Sequence, residues 1–409
     1  MKYPLWICLF CSMPVLAQEP LTLQRCYELA AQHYPLIKQR ELITRSGAFS
    51  VENIAKGNLP QLSFSGQVTY QSEVVHIPLP NTPELSKDQY KVQAELSQNI
   101  WDGGNIKYQK ALERANTATQ QQQLEVNLYA VKDRVNQLFF GILLADEQLK
   151  QNILRKTDIQ NGISKMQGAV DNGTALRSTV DELKAELINA DQLSTQLAAA
   201  KKGYIEMLAL FINQPVRELI KPSPVPVSID IKRPELHLYD QQQQSIGIRQ
   251  KQLSVNYLPK VSAFVQGGYG RPTLNIIDNS FGFYGLGGIR FSWGLNSLYT
   301  LKNNRQILRM NRQDIDVQKE TFLFNTRLTL TQQQINVQQY DELITQDQQI
   351  ISLRTSVKNA AVAQLENGVI TAHDYIGQVN AENLARQNLA LHEIQLLQVQ
   401  YNSKNTSGN

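Results

Sequence analysis

The sequence has 409 residues, a formal net charge of +4 and 19% charged residues, without a dense basic cluster. This balance gives no sign of nucleic-acid binding, and we expect no nucleic-acid partner. The longest apolar run after the N-terminal segment, Leu138 to Ala145, is much shorter than the roughly 18 residues of a transmembrane helix. An inner-membrane helix is therefore not expected.

Residues 1–17 have the composition of a secretory signal peptide. Lys2 precedes a short apolar stretch, and Val15-Leu16-Ala17 supplies small residues for cleavage. A buried N-terminal strand is the alternative interpretation. An exported protein is the prediction that follows from the signal peptide.

The cysteines predict neither a lipid anchor nor a disulfide. Ile7 and Phe10 precede Cys8 and Cys11, where a lipidation site needs a small residue. Cleavage of the signal peptide would leave only Cys26, which excludes an intramolecular disulfide. Its helical surroundings predict a buried free thiol.

The rest of the sequence consists of two similar halves. Leu59-Pro60-Gln61-Leu62 recurs as Leu258-Pro259-Lys260-Val261, and Asp171-Asn172-Gly173 recurs as Glu366-Asn367-Gly368, roughly 200 residues later in both cases. We predict a first structural repeat over residues 18–213, a proline-rich connector over 214–234, a second repeat over 235–402 and a polar tail over 403–409.

The first half opens with a helical segment over residues 22–56. We expect Pro35 to divide it, because the residue before a proline disfavours helix. Two segments follow in which apolar and polar residues alternate, the pattern of β-strands with one apolar face. Their apolar residues are Leu62, Phe64, Val68 and Tyr70 in one, and Tyr90, Val92, Ala94 and Leu96 in the other.

A long helix is predicted over residues 105–170, which is about 100 Å at 1.5 Å per residue. Its apolar residues recur four and three positions apart, as in a supercoiled pair, and Asn152 and Lys156 interrupt them. This predicted seam contains Leu124, Leu128, Val131, Val135, Leu138, Ile142, Ala145, Leu149, Ile159, Ile163, Met166 and Val170. After the break at Gly173, a return helix over residues 174–212 has matching apolar steps.

The second half repeats this order. A helix is predicted over residues 235–256, then two alternating segments, then a long helix whose Leu301, Leu308, Ile315 and Phe322 are seven apart. The apolar residues of the alternating segments are Val261, Ala263, Val265 and Tyr269, followed by Phe281, Phe283, Ile289, Phe291 and Trp293. Gly368 again precedes a shorter return helix.

The alternating strands fit either a soluble sandwich or a membrane β-barrel with a polar lumen. Aromatic residues at the strand ends favour the membrane, because aromatic side chains anchor at its two interfaces. The residues predicted to face lipid are Tyr90, Val92, Leu96, Phe283, Ile289, Phe291 and Trp293. Four strands cannot close a barrel alone, and open edges are costly in lipid, so the barrel interpretation requires at least two copies.

No motif indicates catalysis. The glycine-rich stretches at 267–270 and 282–288 lack the Gly-Lys-Ser/Thr sequence of phosphate-binding loops, and none of the five histidines has metal-ligand spacing. We expect no enzymatic activity, no catalytic residue, no cofactor and no metal site.

The ordered set of motifs resembles the TolC-like outer-membrane efflux factor family over nearly the whole mature chain. The motifs are the repeat, the strand pairs, Ile100-Trp101-Asp102-Gly103-Gly104 and the Asn-Gly breaks. The resemblance implies a mainly α fold with a membrane β-barrel. Long antiparallel helical hairpins would form an α-barrel, and four strands from each protomer of a homotrimer would form a twelve-stranded barrel. It also implies a location in the outer membrane of a Gram-negative bacterium, among outer-membrane lipid, with extension into the periplasm.

The resemblance further implies a passive channel that works with a periplasmic adaptor and an inner-membrane transporter of the RND or ABC type. The implied adaptor-docking hairpin tips contain Gly173, Thr174, Asn367, Gly368 and Val369. Relatives often carry acidic residues at the periplasmic entrance. These positions here hold Asn359 and Val362, or Ser164 and Gln167 in the first half, and Lys165 and Lys358 are close by. This departure puts a cation-selective acidic gate in doubt.

Two alternatives remain at this stage. A periplasmic adaptor also contains a coiled-coil hairpin, but it would need a single hairpin flanked by β-domains. A soluble coiled-coil scaffold would leave the signal peptide and the amphipathic strands unexplained. The exported substrate cannot be named, because a passive conduit takes its specificity from its pump.

Overall fold

The computed structural model describes residues 20–74, 86–275 and 278–409, so the predicted signal peptide lies outside the described residues. The helices in these ranges are α1 (Leu23–His33), α2 (Gln39–Ala55), α3 (Asn105–Tyr129), α4 (Val131–Asp171), α5 (Arg177–Ile212), α6 (Pro234–Val255), α7 (Leu298–Glu366) and α8 (Ala372–Ser407). The strands are β1 (Gln61–Tyr70), β2 (Asp88–Trp101), β3 (Lys260–Arg271) and β4 (Gly282–Ser292). None of the described helices is both long enough and apolar enough to cross a membrane.

The order of elements agrees with the predicted duplication, in which each half has a helical segment, two strands and two long helices. Pro35 divides the first helical segment as expected, since α1 ends at His33 and α2 starts at Gln39. Thr22 caps α1, with its hydroxyl oxygen 3.2 Å from the backbone nitrogen of Arg25.

The chain separates into two compact units, each with segments from both halves of the sequence. The sheet unit comprises Leu36–Leu128 and Lys232–Thr326. The hairpin unit comprises the described residues up to Pro35, together with Tyr129–Ile231 and Arg327–Asn409.

The sheet unit contains all four strands in one antiparallel sheet, in the order β1-β2-β3-β4. Helix α6 also packs against the first part of α7 in this unit. The Lys319 ammonium lies 3.0 Å from the Asp240 carboxylate, and the rings of Tyr239 and Phe322 are 6.1 Å apart. Of the predicted α7 residues, Ile315 is buried, while Leu301, Leu308 and Phe322 are half-buried.

The hairpin unit has a core made by α1, α4, α5 and α8. Phe139 and Phe140 of α4 are at most 1% exposed and pack with Leu208 and Ile212 of α5. Burying a side chain of this size stabilises a protein by about 1.5–3 kcal/mol. The predicted heptad seam is confirmed, because all of its residues are buried except Leu149, Ile163 and Val170, which are half-buried.

Asn152, which interrupts the seam, is fully buried against α5. Its amide nitrogen donates to the backbone oxygen of Ala190 at 2.7 Å and to the Ser194 hydroxyl at 2.9 Å. Two hydrogen bonds thus satisfy the amide nitrogen, while the buried Oδ1 of Asn152 has no partner among the described residues.

The predicted limits of the long helices need correction. The helix expected over residues 105–170 is divided at Ala130 into α3 and α4. Ala130 keeps a right-handed helical backbone, with φ −62° and ψ −19°, so the division is a local distortion rather than a turn back. Helix α5 starts at Arg177, because Gly173 and the residues after it form the turn.

Most of the polar tail predicted over residues 403–409 is helical. Helix α8 continues to Ser407, and Ser403, Asn405 and Ser407 are buried. The polar composition misled the prediction, because the side chains of Asn405 and Ser407 make hydrogen bonds there. The Tyr129 hydroxyl donates to the backbone oxygen of Asn405 at 3.0 Å.

The connector after α5 is extended, as its prolines predicted. It forms an isolated parallel bridge with the start of the described chain. The Leu21 nitrogen donates to the Glu218 oxygen, and the Ile220 nitrogen donates to the Leu21 oxygen, both at 3.0 Å. Cys26 is buried and free, as predicted, and burial raises the pKa of its thiol to about 12.

Candidate functional site

The sheet separates apolar from polar side chains onto two faces. Val92 pairs with Tyr269, which pairs with Phe283, so these three side chains lie in one row on the same face. By the same register, this apolar face also contains Leu62, Phe64, Val68, Tyr90, Leu96, Val265, Ile289 and Phe291. The six predicted residues that lie in strands therefore share one face of the sheet, and the contact of this face with lipid stays a prediction.

These apolar side chains are uncovered in the single chain. Val92 is 65% exposed, Ile289 is 73% exposed and Phe283 is 87% exposed. Exposed apolar patches that are large and continuous mark a surface that another molecule or a membrane covers. Trp293 lies just past the end of β4, 53% exposed, with its indole nitrogen 2.9 Å from the backbone oxygen of Tyr257.

Aromatic side chains gather at one end of the apolar face. Tyr269 lies 4.9 Å from Phe283 and 5.9 Å from Phe281, measured between ring centroids, and Tyr90 lies 6.0 Å from Phe281. The guanidinium of Arg271 is 5.0 Å from the Phe281 ring. This arrangement matches the aromatic girdles found where membrane strands meet the interface.

The opposite face of the sheet is largely polar. Arg290 makes a bidentate ion pair with Glu95, at 2.8 and 3.1 Å, and lies over the ring of Phe264. The Tyr284 hydroxyl donates to the Gln93 side chain at 3.0 Å. This face therefore suits contact with water, while the apolar face does not.

Both ends of the sheet are open. Within the described residues, β1 pairs only with β2 and β4 pairs only with β3. Unpaired strand edges are free to pair with other copies of the chain.

The two predicted hairpin tips have the same backbone geometry. Gly173 has φ +73° and Gly368 has φ +70°, the left-handed conformation that glycine adopts without steric cost. The nitrogens of Thr174 and Val369 donate to the oxygens of Ala169 and Gln364, both at 2.8 Å. Each turn is a Schellman motif, which satisfies the last carbonyls of the preceding helix.

The tips differ in the residues that start the return helices. Thr371 and Asp374 form a capping box at the start of α8. The equivalent Leu176 before α5 makes no side-chain cap and is 74% exposed. The predicted docking residues Gly173, Thr174, Asn367, Gly368 and Val369 are all exposed.

The two lysines predicted for the periplasmic entrance lie close to acidic partners. Lys165 forms an ion pair with Glu366. Lys358 lies between Asp158, at 2.9 Å, and Glu382, at 2.6 Å, and its side chain is 14% exposed. Asn359 is exposed, and Val362 packs against the apolar cluster around Ile159 and Met166. Neither predicted lysine is therefore a free cation.

Glu382 is the centre of a network that sequence reasoning missed. Its side chain is 4% exposed and accepts hydrogen bonds from Thr355 at 2.6 Å and Arg386 at 2.7 Å, besides the Lys358 contact. Burial alone would raise the pKa of Glu382. The hydrogen bonds from Lys358, Thr355 and Arg386 outweigh burial and lower the pKa to about 2.

A second part of the network joins α4, α5 and α8. Arg155 forms an ion pair with Glu186 and lies 2.9 Å from the Asn380 amide oxygen. The Asn380 amide nitrogen donates to Glu186 at 3.0 Å. Together with Lys358 of α7, these contacts link all four long helices of the hairpin unit. We call residues 155, 158, 186, 355, 358, 380, 382 and 386 the hairpin network.

The structure matches solved structures of outer-membrane channels along almost its full length. It superposes on the outer-membrane protein VceC of Vibrio cholerae with a TM-score of 0.69 and 12% identity, over 95% of this chain and 96% of VceC. The open state of the MtrE channel of Neisseria gonorrhoeae gives 0.65 and 13%, over 95% and 89%. The CmeC channel of Campylobacter jejuni gives 0.64 and 14%, over 94% and 85%.

The chain has the fold of an outer-membrane channel protein. No protein-family model and no curated protein sequence matches it. The resemblance to the TolC-like family seen in the sequence motifs is confirmed at the level of the fold. The expectation of a mainly α chain with four strands is confirmed as well.

Proposed function

We propose that this protein is an outer-membrane channel that gives passive exit to substrates delivered from the inner membrane. The observation that carries the proposal is the four-stranded sheet with one exposed apolar face and one polar face, within a chain that has the fold of outer-membrane channels. The apolar face would contact outer-membrane lipid, and the polar face would line the lumen.

The open sheet edges support assembly from several copies. An unpaired strand edge in lipid would leave backbone groups without hydrogen bonds, at several kcal/mol each. In a homotrimer, β1 of one protomer would pair with β4 of the next and close a twelve-stranded barrel. The number three comes from the resemblance to the TolC-like family, since the edges alone require only more than one copy.

The hairpin tips would dock the periplasmic adaptor, which links the channel to an inner-membrane transporter of the RND or ABC type. The tips expose Thr174, Leu176 and Val369 on two turns of equal geometry. This surface is small and partly apolar, as suits a contact that forms and releases. The adaptor and soluble-scaffold alternatives are not favoured, because the chain aligns with outer-membrane channels from end to end.

Reconstitution tests this proposal directly. Light scattering of the mature protein in detergent should give the mass of a trimer, and this trimer should dissociate on heating. In planar bilayers the same protein should produce discrete conductance steps. It should also fractionate with the outer membrane. A folded monomer that gives no conductance steps would contradict the channel function.

A further inference from the structure

A cationic groove lies in the sheet unit, between the second half of α6 and the first turns of α7. It has a volume of about 720 Å³. Its apolar lining comes from Ile246, Leu298, Leu301 and Leu308. Its charged lining comes from Lys302, Arg305, Arg309 and Arg312.

The four cations form one stripe on α7. Successive members are three or four residues apart, so they lie on the same side of the helix. The sequence contains no Asp or Glu between residues 298 and 313, and none between residues 246 and 256 on the facing helix. Like charges at this spacing destabilise a helix, so the stripe opposes rather than assists folding.

The stripe makes no salt bridge in the part of the chain that the structure describes. None of its four cations forms an ion pair or a hydrogen bond there, although Asp316 follows Arg312 by about one helical turn. The next cation along the same two helices behaves differently, because Lys319 is paired with Asp240 at 3.0 Å. Along these two helices, Lys319 therefore has an acidic partner, whereas the four cations of the groove have none within ion-pair distance.

We infer that this groove faces the conduit, binds amphiphilic organic anions and thereby makes the conduit prefer anions to cations. The inference rests on the proposed channel function and specifies the class of solute. Arginine guanidinium groups bind carboxylate, sulfonate or phosphate groups through paired hydrogen bonds, and the leucine and isoleucine side chains accept an apolar body. The volume lies within the range of about 300–1,000 Å³ that holds small organic molecules.

The charge should also act on small ions that pass the groove. A cleft lined by charges of one sign raises the local concentration of counter-ions by about tenfold or more. At the predicted entrance, the acids Glu366, Asp158 and Glu382 are paired with Lys165 and Lys358, so their charges are offset there.

Ion selectivity in planar bilayers of neutral phosphatidylcholine tests the inference. Under a KCl gradient, the reversal potential of the wild-type trimer should show preference for chloride. The triple variant Arg305→Glu, Arg309→Glu, Arg312→Glu should shift the permeability ratio toward potassium by about tenfold. The triple variant with lysine at these three positions conserves the charge and should keep the wild-type permeability ratio. If the trimer yield of the Glu triple variant falls, the triple variant with glutamine is measured in its place.

Block by a dye tests the organic ligand. 1-Anilinonaphthalene-8-sulfonate should block wild-type conductance at concentrations about tenfold below those needed for the Glu triple variant. The cationic dye rhodamine 6G should not show this difference. Channels whose selectivity and dye block are the same in wild type and both charge-altering variants would overturn the inference while leaving the channel function intact.

The headgroup of an anionic phospholipid carries the same kind of charged group as a soluble organic anion. Native mass spectrometry of the purified trimer distinguishes a bound lipid from a soluble anion. Loss of bound phosphatidylglycerol in the Glu triple variant, with unchanged selectivity, would assign the groove to lipid and overturn the inference. A wild-type protein that forms no channels at all would instead refute the proposed function.

Discussion

Replacing Glu382 with glutamine tests whether the hairpin network holds the two helical hairpins together. Glu382 contacts Lys358 and Thr355 on α7 and Arg386 on its own helix. Glu382→Gln keeps the shape and one acceptor oxygen but removes the charge that these donors surround. The two cations then lose the buried anion between them.

The size of the effect follows from the pKa of the carboxyl group. A pKa lowered from 4.5 to about 2 corresponds to about 3 kcal/mol of preference for the charged form in the folded protein. Glutamine retains part of the hydrogen bonding, so we expect a loss of about 2 kcal/mol. Because the folded-state pKa is below the ordinary value, this contribution is complete above about pH 4.5 and disappears as the pH falls toward 2.

Hydrogen–deuterium exchange of the purified trimer measures this loss locally. A loss of about 2 kcal/mol in local stability should speed exchange about 30-fold in the helical segments around Thr355 and Glu382. Exchange in the β-strands of the sheet unit should not change, which separates a local effect from global unfolding.

Glu393→Gln is the matched control on the same helix. Glu393 pairs with Lys221 at 3.0 Å, but both side chains are at least 40% exposed. Exposed pairs contribute about 0–1 kcal/mol, so exchange near residue 393 should change by only a few-fold. Equal changes in the two variants, or no change in Glu382→Gln, would show that the hairpin network does not stabilise this packing.

Three further predictions concern the sheet and the tips. Leu96→Arg should reduce trimer yield, because a cation facing mid-bilayer lipid costs about 2–4 kcal/mol, whereas Ser97→Arg on the polar face should be tolerated; equal yields would mean that the faces are wrongly assigned. Val369→Asp should leave trimer yield unchanged and weaken cross-linking to the adaptor, and unchanged cross-linking would exclude this tip as the docking site. Gly368→Ala should lower the thermal midpoint through about 1 kcal/mol of backbone strain at φ +70°, while Gly377→Ala, in open space within α8, should raise it by a similar amount.

The sequence patterns predicted those features of the fold that depend on the local spacing of apolar residues. Alternation with period two placed Val92 and Phe283 on one face of the sheet, since a strand sends successive side chains to opposite sides. Four-three spacing placed Val135 and Ile142 in the helical seam. The glycines at both tips were predicted from the Asn-Gly breaks alone.

The hairpin network could not be predicted in this way. Lys358 and Asp158 are 200 residues apart in the sequence, and neither lies on the apolar seam that periodicity detects. The acids that neutralise Lys165 and Lys358 belong to other helices, so local composition at the entrance gave no sign of them. No glycine or proline marks the division of the long helix at Ala130, and no side-chain contact in the structure explains it.

Asn152 limits the ways in which the first hairpin can assemble. A coiled-coil pair with only aliphatic seam residues gains almost the same packing energy when one helix slides by a heptad. Here such a slide would carry the Asn152 amide away from the Ala190 oxygen and the Ser194 hydroxyl, leaving buried donors unpaired at about 1–3 kcal/mol. A single polar side chain thus fixes the register of α4 against α5. Together with the short turn between Asp171 and Arg177, Asn152 thus sets how far the tip at Gly173, about 20 residues away, extends beyond the packed helices.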